Sequence, residues 1–496
     1  MIRKVLRSIA RTRLIAISCL LTLLGVAALS LAQNAGGPAA PAKTYKRIPD
    51  AEIKKHIDHE WLRTSLVNGL TDYWLKASIM PNGFIQENLD REWKPWGDQR
   101  EASLNGQGRQ LYSMAIGYEM SHNDKRYLEG VTKAADFLMK MHDDQHGGYF
   151  NRTTPDLKVL DDNKTGFTSF VIYSLATAGR VTKDQRYLTA AMQAFHEVRD
   201  KMRDGPFLTA TKNRDFSGPG ARGGGGGRAG KGGGPAKDGG APPPGGPQAA
   251  KGGGGFGGPG GHSLNVHMFE ALLGLYDATK SKEVWDEITA ELTAMEKLYD
   301  YNLGYLPEGF DKDWKPTGGG GANGGAGRMN TGHLFEWASL FSRAVELGAD
   351  PKFVELGSRS IDLGLKNGYN QAVGGLGGVN AQGQPSQMLW WPQCEVLKAT
   401  AHYAILRGRS DLWPVFEKTL AFVKTNYFDT KDGGWFEYYI PGTPREALPV
   451  SRQVPGATAS LKGAVDGPEW GSYHQTSMYH DLWRITDPKY KPGPGN

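Results

Sequence analysis

Apolar residues recur at helical spacing along much of the chain. One face consists of Tyr127, Leu128, Val131, Ala134, Ala135, Leu138 and Met141, and another of Leu334, Phe335, Ala338, Phe341 and Leu347. Intervals of three and four residues place these side chains on one side of a helix, as in a helix that packs against a core. The pattern therefore predicts a protein built mainly from helices.

Six short glycine turns, each followed by an aromatic or aliphatic residue, separate the predicted helices. Their marker residues are Gly83, Gly148, Gly205, Gly304, Gly375 and Gly434. The intervals between them are 65, 57, 99, 71 and 59 residues, and the long interval contains the 44-residue tract 218–261. Units of roughly 60 residues accommodate two helices and a turn, as in helical-hairpin repeats. Because the last unit is as aromatic as the others and no polar cap is evident, the repeat predicts an all-α fold, an (α/α)6 barrel.

The tract 218–261 differs in composition from the rest of the chain. It holds 23 of the 68 glycines and seven prolines, so it cannot bury a core and is predicted to be a disordered insertion. Residues 318–327 form a second, shorter glycine-rich loop. We expect residues 51–217 and 262–490 to form one catalytic barrel domain; the alternative is two domains separated by the tract.

The formal net charge of +6 arises largely from the N-terminus. Five basic residues precede an apolar run, 14–32, that ends in Ser-Leu-Ala, which predicts a secretory signal peptide over residues 1–32, followed by a flexible segment, 33–50. Without residues 1–32 the chain has 53 basic and 52 acidic residues, so neither a nucleic-acid groove nor a polybasic membrane surface is supported. We expect a secreted or periplasmic protein; an uncleaved membrane anchor is the alternative.

Cysteine usage narrows the class of protein further. Cys19 lies in the predicted signal peptide, which leaves Cys394 as the one cysteine of the mature chain. An intramolecular disulfide and a cysteine-based zinc site are therefore excluded, and stability must come from a large apolar core.

Two similar motifs, one repeat length apart, combine histidine with glutamate. His267 and Glu270 belong to His-Met-Phe-Glu, and His333 and Glu336 to His-Leu-Phe-Glu, 66 residues later. A spacing of i, i+3 allows each carboxylate to hold its imidazole and raise its basicity, and Gly332 would let a ligand approach. The alternatives are two structural pairs in the core or a metal site, and no further carboxylate pattern supports a metal.

Aromatic and polar residues elsewhere predict a cleft of the size of a sugar. Tryptophan rings stack on the apolar faces of pyranoses, while carboxylate and guanidinium groups bind hydroxyls. The candidates are Trp390 and Trp391, one of which could belong to the core, with Glu395, Arg109 and His474. His480 is read as structural.

At these residues the sequence resembles the N-acylglucosamine 2-epimerase family, which includes cellobiose 2-epimerases and mannose isomerases. The matching stretches include 106–112, 267–276, 332–337, 390–395, 432–437 and 473–474, in the family's order. The resemblance implies an (α/α)6 barrel and an isomerase that moves a proton at carbon 2 of a reducing sugar through an enediol. It implies a carbohydrate substrate and neither a metal nor a nucleotide cofactor.

The resemblance also implies roles for individual residues. His333 and His474 would be the acid/base pair, His267 would assist ring opening, and Glu336 would tune His333. Arg109 would bind the oxygen that gains negative charge. The substrate site would be lined by Trp390, Trp391, Glu395 and Glu270.

One position departs from the family. Relatives commonly carry an arginine three residues after the last histidine, where this chain has Ser477. Two other functions stay open on the sequence. One is an (α/α)6 glycoside hydrolase or polysaccharide lyase using Asp161 and Asp162, and the other is a carbohydrate-binding barrel without activity.

Overall fold

The structure, a computed structural model, describes residues 45–86, 89–95, 101–218, 261–317, 330–379, 383–444 and 472–491. The predicted signal peptide, residues 33–44, residues 219–260 of the glycine-rich tract and the loop 318–327 lie outside the described residues. The described residues from 45 onward belong to one compact unit. Ile48, in the segment that was expected to be flexible, donates a backbone hydrogen bond to the Ile405 carbonyl at 2.9 Å.

The described part of the chain is predominantly helical. Its helices are α1 Asp50–Ile53, α2 His59–Leu66, α3 Asp72–Ser78, α4 Leu104–Met120, α5 Lys125–Met139, α6 Thr168–Thr182, α7 Gln185–Lys201, α8 Val266–Thr279, α9 Lys282–Leu298, α10 Thr331–Leu347, α11 Lys352–Asn367, α12 Trp390–Leu406, α13 Trp413–Asn426 and α14 Tyr473–Thr486. A π-helical turn, Val67–Thr71, joins α2 to α3, and a short 3-10 turn, Ser410–Leu412, precedes α13. No described helix combines the length and the apolar character needed to cross a membrane.

Six of these helices form a closed inner ring. Each of α4, α6, α8, α10 and α12 packs against the next in that series, α12 packs against α14, and α14 packs back against α4. The helices α5, α7, α9, α11 and α13 cover the ring from outside, and α2 packs against α14. The closed ring confirms the (α/α)6 barrel that the six repeat units predicted.

The glycine turns recur with the same geometry in successive units. Each turn closes an antiparallel bridge such as Ile79 to Ile85 or Phe428 to Trp435, and each contains a glycine with positive φ. At Gly83, with a φ of +91°, a Cβ atom would lie 2.1 Å from the carbonyl oxygen of Lys133. Only glycine fits such a position, which explains why the glycine spacing revealed the repeat.

Short strands pair close to the helix N-termini. Ala102–Ser103 (β1), Arg152–Thr153 (β2) and Val159–Asp161 (β3) form a three-stranded antiparallel sheet. The antiparallel pairs are His262–Ser263 (β4) with Gly309–Phe310 (β5), Tyr369–Asn370 (β6) with Gly375–Leu376 (β7), and Met388–Leu389 (β8) with Tyr438–Tyr439 (β9). Strands β1, β4 and β8 lead directly or nearly directly into α4, α8 and α12, so they fix where these inner helices begin.

Equivalent asparagine caps start the two helices that carry the repeated motif. The side chain of Asn265 accepts from the backbone N–H groups of His267 and Met268, and that of Asn330 accepts from those of Gly332 and His333. Such caps satisfy N–H groups that have no partner within the helix, and each contributes about 1 kcal/mol. Both histidines are thereby held in the first turn of an inner helix.

Candidate active site

His474, in the first turn of α14, is held by a glutamate from a different helix. Its Nδ1 lies 2.9 Å from Oε1 of Glu395 on α12, and both side chains are buried. A carboxylate only accepts, so Nδ1 carries the proton and Nε2 keeps a lone pair. Burial lowers the pKa of His474 to about 4, although Glu395 opposes the shift. His474 is therefore a neutral imidazole at neutral pH.

His333, in the first turn of α10, has a different charge state. Its Nδ1 lies 2.7 Å from Oε1 of Glu308, in the loop that precedes β5. Burial acts to lower the pKa of His333, but the Glu308 carboxylate outweighs burial and raises the pKa to about 9. His333 is therefore an imidazolium at neutral pH.

Glu308 was missed by the sequence analysis, although a weak signal exists. Five of the six glycine turns are followed within four residues by a polar residue. These residues are Gln86, Asn151, Thr209, Glu308 and Glu437. The repeat could therefore have identified Glu308 as a candidate, but not its partner.

Trp391 joins the two histidines. Its ring centroid lies 5.3 Å from that of His333 and 5.4 Å from that of His474. A Cβ atom on Gly332 would meet the Trp391 ring at 2.4 Å. The glycine before His333 thus makes room for the indole, whereas the sequence analysis assigned that space to a ligand.

His267, in the first turn of α8, is held by Arg109 of α4. Nη2 of Arg109 lies 3.1 Å from Nε2 of His267. Because guanidinium only donates, Nε2 accepts and Nδ1 carries the proton. Burial, together with the positive charge of Arg109, lowers the pKa of His267 well below its usual value. The Arg109 side chain is buried and lies over the rings of Phe170 and Tyr473, at 4.2 and 4.7 Å from their centroids.

Neither predicted His-x-x-Glu pair is a hydrogen bond, although each lies within ion-pair distance and Glu336 contributes to the raised pKa of His333. Nδ1 of His267 lies 3.7 Å from Glu270 Oε2, and Nε2 of His333 lies 4.0 Å from Glu336 Oε2, both beyond hydrogen-bond distance. The i, i+3 spacing does bring each pair to the same region. Glu308 holds His333, and the Glu336 carboxylate instead comes within 3.5 Å of His267 Nδ1.

The two carboxyl groups nearest Nδ1 of His267 are buried with unsatisfied oxygens. Both oxygens of Glu336 and Oε2 of Glu270 are without a hydrogen-bond partner. Burial raises the pKa of Glu336 to about 8 and that of Glu270 to about 7. Burying polar groups without hydrogen-bond partners costs folding free energy unless a ligand or water satisfies them. This part of the barrel interior is therefore suited to bind hydroxyl groups.

A cation would also find donor atoms here. His267, Glu270 and Glu336 offer atoms within 4.8 Å of one another, as do Glu336, Glu395 and His474. In the first group, however, the contact with Arg109 places the proton on Nδ1 of His267, the nitrogen nearest the carboxylates. In the second, Nδ1 of His474 donates to Glu395 and Nε2 keeps its lone pair, so this imidazole retains a nitrogen that could bind a cation.

Three other residues considered in the sequence analysis lie outside the histidine cluster. Trp390, predicted to line the substrate site, is 2% exposed and belongs to the hydrophobic core, so the core alternative holds for this indole. His480 contacts Glu119 at 3.2 Å, away from the histidine cluster. Asp161, a candidate of the hydrolase alternative, accepts hydrogen bonds from Asn151 and Asn163.

Lys398 and Ser477 complete the site and were not singled out as a pair by sequence. Nζ of Lys398 lies 2.8 Å from Oε2 of Glu395 and donates to Ser477 Oγ at 3.3 Å. Lys398 lies one helical turn after Glu395 and contacts the carboxylate oxygen that does not accept from His474.

Comparisons with known proteins agree with this fold. The family model of N-acylglucosamine 2-epimerase (GlcNAc 2-epimerase) matches residues 83–224 and 257–456. A mannose-6-phosphate isomerase of Rhizobium meliloti (strain 1021) is 33% identical over 156 residues, which is 30% of this chain and 39% of that protein. The match thus spans well under half of that relative's length.

Solved structures share the barrel at low identity. The cellobiose 2-epimerase from Spirochaeta thermophila DSM 6192 aligns with a TM-score of 0.66 and 20% identity, over 88% of this chain and 97% of that one. A D-mannose isomerase aligns with a TM-score of 0.64 and 15% identity, over 90% and 99% of the two chains. The family model covers more than half of the sequence, and the chain belongs to the N-acylglucosamine 2-epimerase family.

Proposed function

We propose that this protein is a sugar epimerase or isomerase that transfers a proton at carbon 2 of a free reducing sugar or short oligosaccharide. The family supports an isomerase, and the names of the relatives, a mannose-6-phosphate isomerase and a cellobiose 2-epimerase, suggest aldoses and their disaccharides as substrates. The observation that carries the proposal is that two histidines in contact with Trp391 differ in charge, one neutral and the other positive. Titratable groups whose environments move their pKa values apart are candidates for a base and an acid.

The base in this mechanism is His474. Its Nε2 lone pair removes the proton from carbon 2 of the open-chain aldose, and the imidazolium that forms is stabilised by Glu395, 2.9 Å from Nδ1. The electron pair of the broken C–H bond moves to form the carbon 1–carbon 2 double bond, and the carbonyl oxygen gains negative charge. Arg109, a buried guanidinium, stabilises that oxygen.

The acid is His333. As an imidazolium held by Glu308, it supplies a proton to the intermediate. Delivery to the opposite face of carbon 2 gives the epimer. Delivery to carbon 1, with the carbon 2 hydroxyl proton passing to the oxygen on carbon 1, gives the ketose. In both cases the proton held by His474 then passes through solvent to His333, which restores the starting charges.

The other residues bind and orient the sugar. Trp391 offers its ring face to a pyranose. His267, with its proton on Nδ1, assists ring opening, and Glu270 and Glu336 accept hydroxyl hydrogen bonds or, when protonated, donate them. We further propose that residues 1–32 direct export, so that the enzyme acts outside the cytoplasm.

The test is proton exchange in deuterated water. Purified protein is incubated with a panel of aldoses and disaccharides, and products are analysed by NMR and mass spectrometry. Deuterium at carbon 2, with conversion to epimer or ketose, supports the proposal. New reducing ends or unsaturated uronates would instead indicate a hydrolase or lyase, and binding without exchange a carbohydrate-binding barrel.

A further inference from the structure

Lys398 is a buried cation in the middle of the barrel. Its side chain is 5% exposed, and its ammonium contacts Glu395 at 2.8 Å and Ser477 at 3.3 Å. An isolated ammonium is costly to bury, so a lysine persists in such a place only where several acceptors or negative charges stabilise it.

The charges that face Lys398 come from neighbouring inner helices. Those that favour its charged form are Glu395 on its own helix, Glu270 on α8 and Glu336 on α10. The positive charge of Lys398 also acts to lower the pKa of Tyr112 on α4 and of Cys394 on α12. Three buried carboxyl groups therefore act electrostatically on the Lys398 ammonium. Of these, Glu395 alone lies within hydrogen-bond distance.

His474 is linked to this cation through Glu395. One carboxylate oxygen of Glu395 accepts from His474 Nδ1, and the other contacts Lys398 Nζ. The groups that act on His474 are Glu395, Arg109 and Lys398, with the His267 ring 6.0 Å away. Successive contacts thus connect His474 to Glu395, Glu395 to Lys398, and Lys398 to Ser477 in the interior of the barrel.

We infer that Lys398 is a positioning residue that keeps Glu395 ionised, so that His474 holds its proton on Nδ1 and presents Nε2 as the base. This inference rests on the proposed function of His474. Removal of the ammonium would let the buried His474–Glu395 pair bind an additional proton at a higher pH than in the wild type, and this proton would block the base.

The short side chain of Ser477 leaves space beside the Lys398 ammonium. A cavity of about 90 Å³ lies behind the proposed catalytic residues and is lined by Lys398, Ser477, Glu270 and Tyr112 among others. A longer side chain at 477 would extend into this cavity, next to the position of the Lys398 ammonium. An arginine introduced at 477 therefore tests whether a cation supplied by α14 can replace Lys398.

The experiment compares Lys398→Met, the double variant Lys398→Met/Ser477→Arg, and a control, Lys424→Met. Lys424 lies on the outer helix α13 with its ammonium over Trp61, at 3.8 Å from the ring centroid. Two readouts are taken: the pH dependence of kcat/KM for carbon 2 exchange, and the titration of His474 by NMR of protein labelled with ¹⁵N-histidine. The His474 signal is assigned from its loss in His474→Gln.

We expect the acid limb of kcat/KM in Lys398→Met to move upward by about 1 to 3 pH units, the range for loss of a neighbouring opposite charge. The midpoint of the His474–Glu395 pair should move in parallel. The double variant should return both toward the wild-type values, and Lys424→Met should change neither. The NMR titration needs no turnover, so it tests the role of Lys398 even if the carbon 2 exchange is absent.

An unchanged His474 titration in Lys398→Met would overturn the inference. So would a double variant that folds but keeps the shifted titration. If both variants fail to fold while Lys424→Met folds, Lys398 is a structural cation and the positioning role is wrong.

Discussion

Two layers of buried and partly buried charged side chains occupy the barrel, and they are built on the same helices. The front layer consists of Arg109, His267, Glu270, His333, Glu336, Glu395, Lys398 and His474. The rear layer consists of Asp277, Arg343, Glu346, Asp481 and Arg484. Helix α10, for example, carries Glu336 in the front layer and Glu346 in the rear layer, ten residues or about 15 Å further along.

The layers differ in how their charges are satisfied. In the rear layer, Glu346 contacts Arg343 at 2.6 Å and also Arg484, which in turn contacts Asp481 at 2.6 Å. In the front layer, both oxygens of Glu336 are without a hydrogen-bond partner. Matched charges hold helices together, whereas unmatched ones are free to meet a ligand. The rear layer therefore links helices of the barrel, and the front layer offers unsatisfied groups to a ligand, as the proposed function requires.

Exchange activity should depend strongly on the front layer. We expect His474→Gln to lower kcat/KM for carbon 2 exchange by about 10² to 10⁴, the usual contribution of a general base, with little change in thermal stability. His480→Gln, two turns further along the same helix and paired with Glu119, is the control and should keep most activity. Equal losses in the two variants would contradict the distinction between the layers.

Stability should depend strongly on the rear layer. Arg484→Met leaves Glu346 and Asp481 with fewer cations, and breaking a buried pair in this way costs about 3 to 5 kcal/mol of unfolding free energy. Arg186→Met removes the exposed partner of Asp184 and should cost about 1 kcal/mol or less. Urea denaturation measures both. A loss below 1 kcal/mol in Arg484→Met would show that the rear layer does not stabilise the barrel.

The layers should also respond to pH with opposite sign. Burial raises the pKa of Glu336 from 4.5 to about 8, so the folded state holds this proton more tightly and stability is lost as the pH rises through that range. For Glu346, burial is outweighed by Arg343 and Arg484, which lower the pKa from 4.5 to about 2. The contribution of the ionised Glu346 to folding stability is present above pH 4.5 and is lost as the pH falls toward 2.

Glutamine variants separate these two contributions. Relative to wild type, Glu336→Gln should become progressively more stable between pH 4.5 and 8. Glu346→Gln should be less stable at neutral pH, with the deficit shrinking on acidification. Unfolding free energies measured at several pH values check both, and parallel curves for the two variants would contradict the opposite signs.

The smallest effect concerns the upper pH limit of activity. His333 must be protonated to act as the acid, and its pKa of about 9 depends on Glu308. We expect Glu308→Gln to move the alkaline limb of kcat/KM downward by about 1 to 3 pH units. The control is Glu417→Gln, which removes a carboxylate at the same 2.7 Å from Nδ1 of a surface histidine, His56. An alkaline limb that stays in place would remove His333 from the role of acid.

Some parts of the site were predictable because they repeat. The two His-x-x-Glu motifs begin equivalent inner helices, and the structure does bring His267 and His333 into one cluster with Arg109 and His474. Trp390 and Trp391 are adjacent in sequence, so both could be predicted near the site. Which indole enters the core depends on the rotation of α12 against its neighbours, and local sequence does not specify that rotation.

The sequence by itself determined the number of hairpins, because a glycine with positive φ is required at each turn and its spacing is therefore visible. It also determined the residue types at the helix starts. The tertiary structure alone decided which carboxylate serves which histidine: Glu308 lies 25 residues from His333, and Glu395 lies 79 residues from His474. Spacing specifies neighbours on one helix, but contacts between helices follow from how six hairpins close, and these contacts determine the charge of each histidine.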